Sequence, residues 1–138
     1  MNNIRTGLSA EITLTVTDSE TAAKFGSGLV PVFATPAMVG MMEGAAVKAL
    51  EGQLAEGQTT VGTHIDVRHL AATPVGMKVR AMAELTAVDG RKLTFQIEAW
   101  DEVEKIGEAT HERFIIDTGK FIARTQAKSK PQKEIGHG

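Results

Sequence analysis

The chain of 138 residues has no cysteine and no tyrosine, one tryptophan and four prolines. Without cysteine there is no disulfide framework, no thiolate metal site and no cysteine nucleophile. Five phenylalanines are the main aromatics, so the core has to be built from Val, Ile, Leu, Ala and Met. Neither sign of charge dominates. The formal net charge is −2 and no basic stripe is visible, which argues against nucleic acid as a partner. No apolar run approaches the ~20 residues needed to cross a bilayer, so no membrane is expected as a partner. The start, Met1-Asn2-Asn3-Ile4-Arg5-Thr6-Gly7, lacks the apolar stretch of a signal peptide. A cytoplasmic location is the expectation. What is left is an ordinary globular composition, 42% hydrophobic and 23% charged, at a length suited to one domain.

Against that background one segment stands out. Residues 35–46 read Thr-Pro-Ala-Met-Val-Gly-Met-Met-Glu-Gly-Ala-Ala. Thr35 suits an N-cap and Pro36 the first helical position. The helix that follows is apolar on every side until Lys48, interrupted by Glu43 alone, and is expected to run to about Leu54. A helix apolar all round is usually buried. A buried carboxylate needs to be neutral, hydrogen-bonded or paired, so the rest of the chain should supply a partner for Glu43.

The flanking sequence supplies strands. Residues 8–17 alternate apolar and polar. A short helical turn is expected near residues 19–25, broken by Gly26-Ser27-Gly28. After the long helix come four strand-like stretches: residues 60–73, 76–88, the segment carrying Leu93, Phe95, Ile97 and Ala99, and residues 106–117. Asp89-Gly90 is a strong type I′ hairpin signal between the second and third. In the first, Val61, Thr63, Ile65, Val67 and His69 are expected on the core face, with His64, Asp66 and Arg68 on the polar one. From residue 119 the chain is polar, and its end is expected to lack order.

The sum is one strand, one apolar helix and a four-stranded antiparallel meander. A sheet that packs one face needs a cover, and here the helix is what is available. The fold class is therefore α+β. A hotdog fold, an antiparallel sheet wrapped around one long central helix, is expected over residues 1–118, with 119–138 a polar, partly disordered tail.

No phosphate-cradling loop, metal-ligand cluster or nucleophile elbow is present. His137 lies in the tail. His64 reads as a solvated strand residue. His69 on an apolar face would ordinarily be a hydrogen-bonded core residue, but Glu43 changes the weighing: a carboxylate facing an imidazole orients it, fixes its tautomer and raises its basicity. Thr35 adds a hydroxyl at a helix start, where free N–H groups suit a developing oxyanion. Gly62 would let a ligand approach the strand backbone. A Thr, a Glu and a His converging on one helix–sheet groove point to acid–base and nucleophilic chemistry.

Residues 32–43, Val-Phe-Ala-Thr-Pro-Ala-Met-Val-Gly-Met-Met-Glu, and residues 62–76, Gly-Thr-His-Ile-Asp-Val-Arg-His-Leu-Ala-Ala-Thr-Pro-Val-Gly, resemble the fluoroacetyl-CoA thioesterase family of hotdog proteins. Gly107 and the Thr110-His111-Glu112-Arg113 segment extend the resemblance. It implies hydrolysis of an acyl-CoA thioester without metal or cofactor. The implied catalytic set is Thr35, Glu43 and His69, with Gly62, Leu29, Phe33 and Arg113 toward the substrate. It also implies a homodimer with the site at the subunit interface, a dimer of dimers being the next assembly. Arg113 would orient the site or hold a CoA phosphate, unless it is a solvated strand residue. Leu29 stands where the family's namesake has a phenylalanine lid, so a short or medium acyl group other than fluoroacetyl is expected. A non-catalytic acyl-CoA binding or sensing protein is the alternative.

Overall fold

The structure is a computed structural model and describes residues 2–129. The chain runs β1 (Ser9–Thr15), a 3-10 turn (Asp18–Glu20), α1 (Ala22–Phe25), α2 (Thr35–Ala49), β2 (Gln58–His69), β3 (Lys78–Asp89), β4 (Lys92–Trp100), β5 (Lys105–Asp117) and α3 (Thr118–Ala127). All five strands form one antiparallel sheet in the order β1-β3-β4-β5-β2. The helix α2 lies against its inner face. Met38, Met42, Ala45, Ala46 and Ala49 meet Val79, Ala81, Ala83, Leu85, Leu93, Phe95, Ile97 and Ala99 there. Alanines on both surfaces bring helix and sheet backbones close, and Met38 and Met42 fill the uneven space left between them. This is the expected hotdog arrangement.

Four local differences bear on function. First, the cap of α2 is Ala34, so Thr35 is already helical and Pro36 is the second helical residue. The Thr35 hydroxyl is thereby released from capping. Second, α2 ends at Ala49 instead of near Leu54. Gly52 takes φ +75°, a conformation glycine adopts without strain and one that does not continue a helix.

Third, α2 is not enclosed on every side. Pro36, Gly40 and Val47 are exposed and Glu43 is half-buried. These positions are spaced i, i+4, i+7 and i+11 and form one stripe. The single sheet covers only the opposite side of the helix.

Fourth, β2 carries a bulge. Gly62 pairs with Arg113 and His64 with Glu112, leaving Thr63 as an extra residue. One unpaired residue switches which side chains face inward. The inner residues of β2 are therefore Thr60, Gly62, Ile65, Val67 and His69, which sit across from Ile115, Arg113, His111, Ala109 and Gly107. The expected placement of Val61 and Thr63 on the core face is corrected by this bulge. His69 keeps its expected face, and His64, Asp66 and Arg68 are exposed. The segment expected to be only a polar tail begins with α3; its end, including His137, lies outside the described residues.

Candidate active site

At the start of α2, Thr35 Oγ1 and His69 Nδ1 are 2.7 Å apart. Both elements aim here for simple reasons. The helix begins one residue early, and His69 is the last inward residue of β2. The other ring nitrogen, His69 Nε2, is buried with no hydrogen-bond partner among the described residues. Burial also lowers the pKa of His69 below its ordinary value, which favours the neutral ring. A cleft of about 380 Å³ opens at this pair, lined among others by Ser27, Phe33, Thr35, His69 and Ala71. The first-turn N–H groups of Thr35 and Ala37 have no intrahelical acceptor, and Pro36 has none to offer.

The opposite end of the inner face holds a second cluster. A Cβ placed on Gly62 would meet Arg113 Nη1 at 3.2 Å, His111 Cε1 at 3.2 Å and Glu43 Oε2 at 3.4 Å. The absent side chain of Gly62 is thus what leaves room for these three groups. Arg113 donates from Nε to Thr60 Oγ1 at 2.9 Å and from Nη2 to the Thr60 carbonyl at 3.1 Å. Its Nη1 lies 3.1 Å from His111 Nε2. His111 Nδ1 lies 2.8 Å from the His64 carbonyl. Burial lowers the pKa of both His111 and Arg113, while the charge of Glu43 raises both.

Within one chain, then, Thr35 and His69 are brought together and Glu43 is not brought to them. Eight residues of helix separate Thr35 from Glu43, about 12 Å of rise. Seven residues of strand separate His69 from Gly62, roughly 20 Å. The expectation that Glu43 faces His69 fails inside a single chain: its neighbours there are Gly62, His111 and Arg113. Arg113 is buried, not a solvated strand residue. Phe33 is buried in the wall of the cleft. Leu29 is 98% exposed and lies outside the cleft lining.

Sequence reasoning assigned no role to His111 and overlooked Thr60. Gly107, Ala109, His111, Arg113 and Ile115 alternate along β5, and that period would have put both His111 and Arg113 inward. Thr60 could not have been found without the bulge. Among the described residues no cluster of metal ligands occurs and no helix is long and apolar enough to cross a membrane.

The chain is thus a hotdog fold with a hydroxyl–imidazole pair at the helix start beside a cleft. Residues 16–119 match the family described as fluoroacetyl-CoA-specific thioesterase (FlK), and the chain belongs to that family. The fluoroacetyl-CoA thioesterase of Streptantibioticus cattleyicolor is 47% identical over 98 residues, covering 71% of this chain and 70% of its own. A solved structure of the fluoroacetyl-CoA thioesterase FlK superposes with a TM-score of 0.85 at 38% identity, covering 93% of this chain and 98% of its own. A thioesterase superfamily member from Thermus thermophilus gives 0.86 at 32% identity, covering 94% and 96%.

Proposed function

We propose that the protein hydrolyses a short- or medium-chain acyl-CoA thioester to the free acid and CoA, as a homodimer in which each active site is built from both subunits. The hydrogen bond between Thr35 and His69 carries this reading. For His69 to take a proton from Thr35, its Nδ1 must hold the lone pair, so the proton sits on Nε2. That is the buried nitrogen without a partner. Glu43 of the partner subunit is the group that completes it.

Two features support the geometry. The edge strand β2 leaves a row of backbone N–H and C=O groups free. The stripe Pro36, Gly40, Glu43 and Val47 leaves an apolar helix face open beside it. Antiparallel pairing of two β2 edges about a two-fold axis near residues 65–66 sets His69 of one protomer opposite the Gly62 end of the other. Each site then holds Thr35 and His69 from one chain and Glu43 and Arg113 from the other.

In this arrangement Thr35 Oγ1 attacks the thioester carbonyl as His69 removes its proton. The oxyanion is held by first-turn N–H groups of α2. Collapse expels the CoA thiolate, which takes the proton from His69 and leaves an acyl-threonine. Water then attacks that ester as His69 takes its proton, and the imidazolium returns the proton to Thr35 Oγ1 as the C–O bond breaks and the acid leaves. Glu43 stabilises the imidazolium in both half-reactions. Burial of Arg113 supports a part in orienting this site over holding a CoA phosphate at the surface.

The test is complementation. His69→Ala and Glu43→Gln variants, each inactive, are unfolded together, refolded as a mixture and assayed for thiol release from acyl-CoA. A site split between subunits regenerates one intact site per mixed dimer, about a quarter of wild-type activity in an equal mixture. No recovery in a mixture shown to contain mixed dimers means Thr35, His69 and Glu43 act within one chain, and the split site is wrong.

A further inference from the structure

The fixed imidazole of His111 has no part in the proton transfers above, although it is 1% exposed and lies within the Arg113–Glu43 cluster. Its tautomer follows from its partners. Nδ1 faces the His64 carbonyl, which can only accept, so Nδ1 carries the proton. Nε2 faces Arg113 Nη1, which can only donate, so Nε2 offers its lone pair. Both nitrogens are committed, and the ring is neutral. His111 is therefore unable to act as an acid or base without giving up one of these bonds.

Its effect falls on Arg113. A guanidinium has five N–H donors, and three of the donor nitrogen contacts are spent on Thr60 Oγ1, the Thr60 carbonyl and His111 Nε2. These three acceptors lie on two adjacent strands and fix the plane of the fork. One N–H on each terminal nitrogen remains. Among the described residues no carboxylate lies within 4.0 Å of Arg113, although Glu43 faces the same opening over Gly62. The cation is thus held short of a full ion pair, with its remaining donors unspent.

We propose that His111, together with the Thr60 hydroxyl, is a positioning residue for thioester hydrolysis: it holds the Arg113 guanidinium back from Glu43, so that the carboxylate stays available to His69 across the dimer. This rests on the split site described above. Without the His111 acceptor, Arg113 swings toward the nearest anion, Glu43, and the carboxylate is taken by a salt bridge within its own chain. The rate falls because Glu43 is misdirected, while substrate binding in the cleft at Thr35 is little altered.

The experiment compares two amides. His111→Gln places an oxygen near the former Nε2 and keeps an acceptor for Arg113. His111→Asn reaches only as far as the former Nδ1 and keeps a donor for the His64 carbonyl. Both are buried polar substitutions, and thermal melts record what each does to the fold. Expected is a kcat for His111→Asn lower by ~10–100-fold with KM little changed, and a kcat for His111→Gln much nearer wild type. Thr60→Val, which keeps the branched shape, should lower kcat in the same manner and serves if His111→Asn does not fold. In an Arg113→Met background the two His111 variants should be indistinguishable, since they act through the missing guanidinium. Equal losses for Gln and Asn, or an undiminished penalty of Asn in that background, overturn the positioning role. Wild-type turnover by Arg113→Met overturns the place of Arg113 in the proposed site, and the positioning role then stands or falls on the loss His111→Asn shows when Arg113 is present. If His111→Asn and Thr60→Val both keep wild-type kcat while Arg113→Met is impaired, only the positioning role fails.

Discussion

The two ends of the inner face solve opposite problems. At the Thr35 end, a hydroxyl and an imidazole are joined at 2.7 Å, beside a cleft, with one ring nitrogen left over. At the Glu43 end a carboxylate, a guanidinium and an imidazole share the space over Gly62. The first has a proton acceptor and lacks a charge to stabilise the imidazolium. The second has charges, and its Thr60 hydroxyl is taken up by Arg113 Nε. The two histidines mark the contrast: His69 spends one nitrogen and keeps one, whereas His111 spends both. In the proposed dimer each end is half of a reaction centre, and the two-fold axis proposed above would pair the halves.

The sharpest way to break this comparison is to remove one member from each end. His69→Ala and Glu43→Gln should each lower kcat/KM by ~10²–10⁴-fold while the chain still folds. Near-normal turnover by Glu43→Gln, measured as thiol release, would make the second end purely structural. For the first end, kcat/KM should rise with pH through the titration of His69, because only the neutral ring accepts a proton; burial lowers that pKa and the Glu43 carboxylate of the proposed dimer acts against it. His69→Ala should erase that limb.

Selectivity should be a smaller effect. Leu29 is exposed and the loop from Ser27 to Pro31 offers no aromatic over the cleft. Acetyl-CoA and fluoroacetyl-CoA should therefore differ in kcat/KM by no more than ~1–3 kcal/mol in activation free energy. Steady-state kinetics with a far stronger preference for the fluorinated substrate would show that the lid residue is not what sets it. Smaller again is Gly62→Ala. The added methyl meets Arg113, His111 and Glu43 at 3.2–3.4 Å, and a displacement of a few tenths of an ångström should reduce kcat by about tenfold with the first end untouched.

The smallest effect is on stability. The folded-state pKa values of His69 and His111 lie below 6.5, the ordinary imidazole value. As pH falls below that value, the unfolded chain takes up protons that the folded chain excludes. Stability is thus fully present above pH 6.5 and declines below it, down to the lowered folded values. Thermal melts across this range should show a shallower decline for His69→Ala. An unchanged slope would mean that the ring is as readily charged in the folded chain as in water.

Much of the fold was legible because its signals are local. Alternation marks β3 and β4, Asp89-Gly90 turns between them, and an apolar helix needs a sheet to cover it. The Thr35 and His69 ends of the site followed from the same patterns. Three things did not. The extra residue at Thr63 leaves no trace in a run of Thr, Val and Gly, since the pairing partner that exposes it lies some 50 residues away on β5. The open stripe on α2 is invisible because apolar residues facing solvent and apolar residues facing a core have the same letters. The separation of Glu43 from His69 is a matter of length along two elements, and convergence inferred from residue types alone overlooks it.

The bulge at Thr63 has a consequence for how this sequence tolerates change. A strand is read two residues at a time, and the extra residue resets that reading between the Gly62 and His69 halves of β2. Deleting Thr63 would leave every neighbouring side chain chemically intact and turn one half of the strand over. Either Thr60 and Gly62 or Ile65, Val67 and His69 would then face outward. A single missing codon here would act as a frameshift in space, and substitutions at the same position should pass with little cost. In a library of variants, position 63 should accept many residues and no gap.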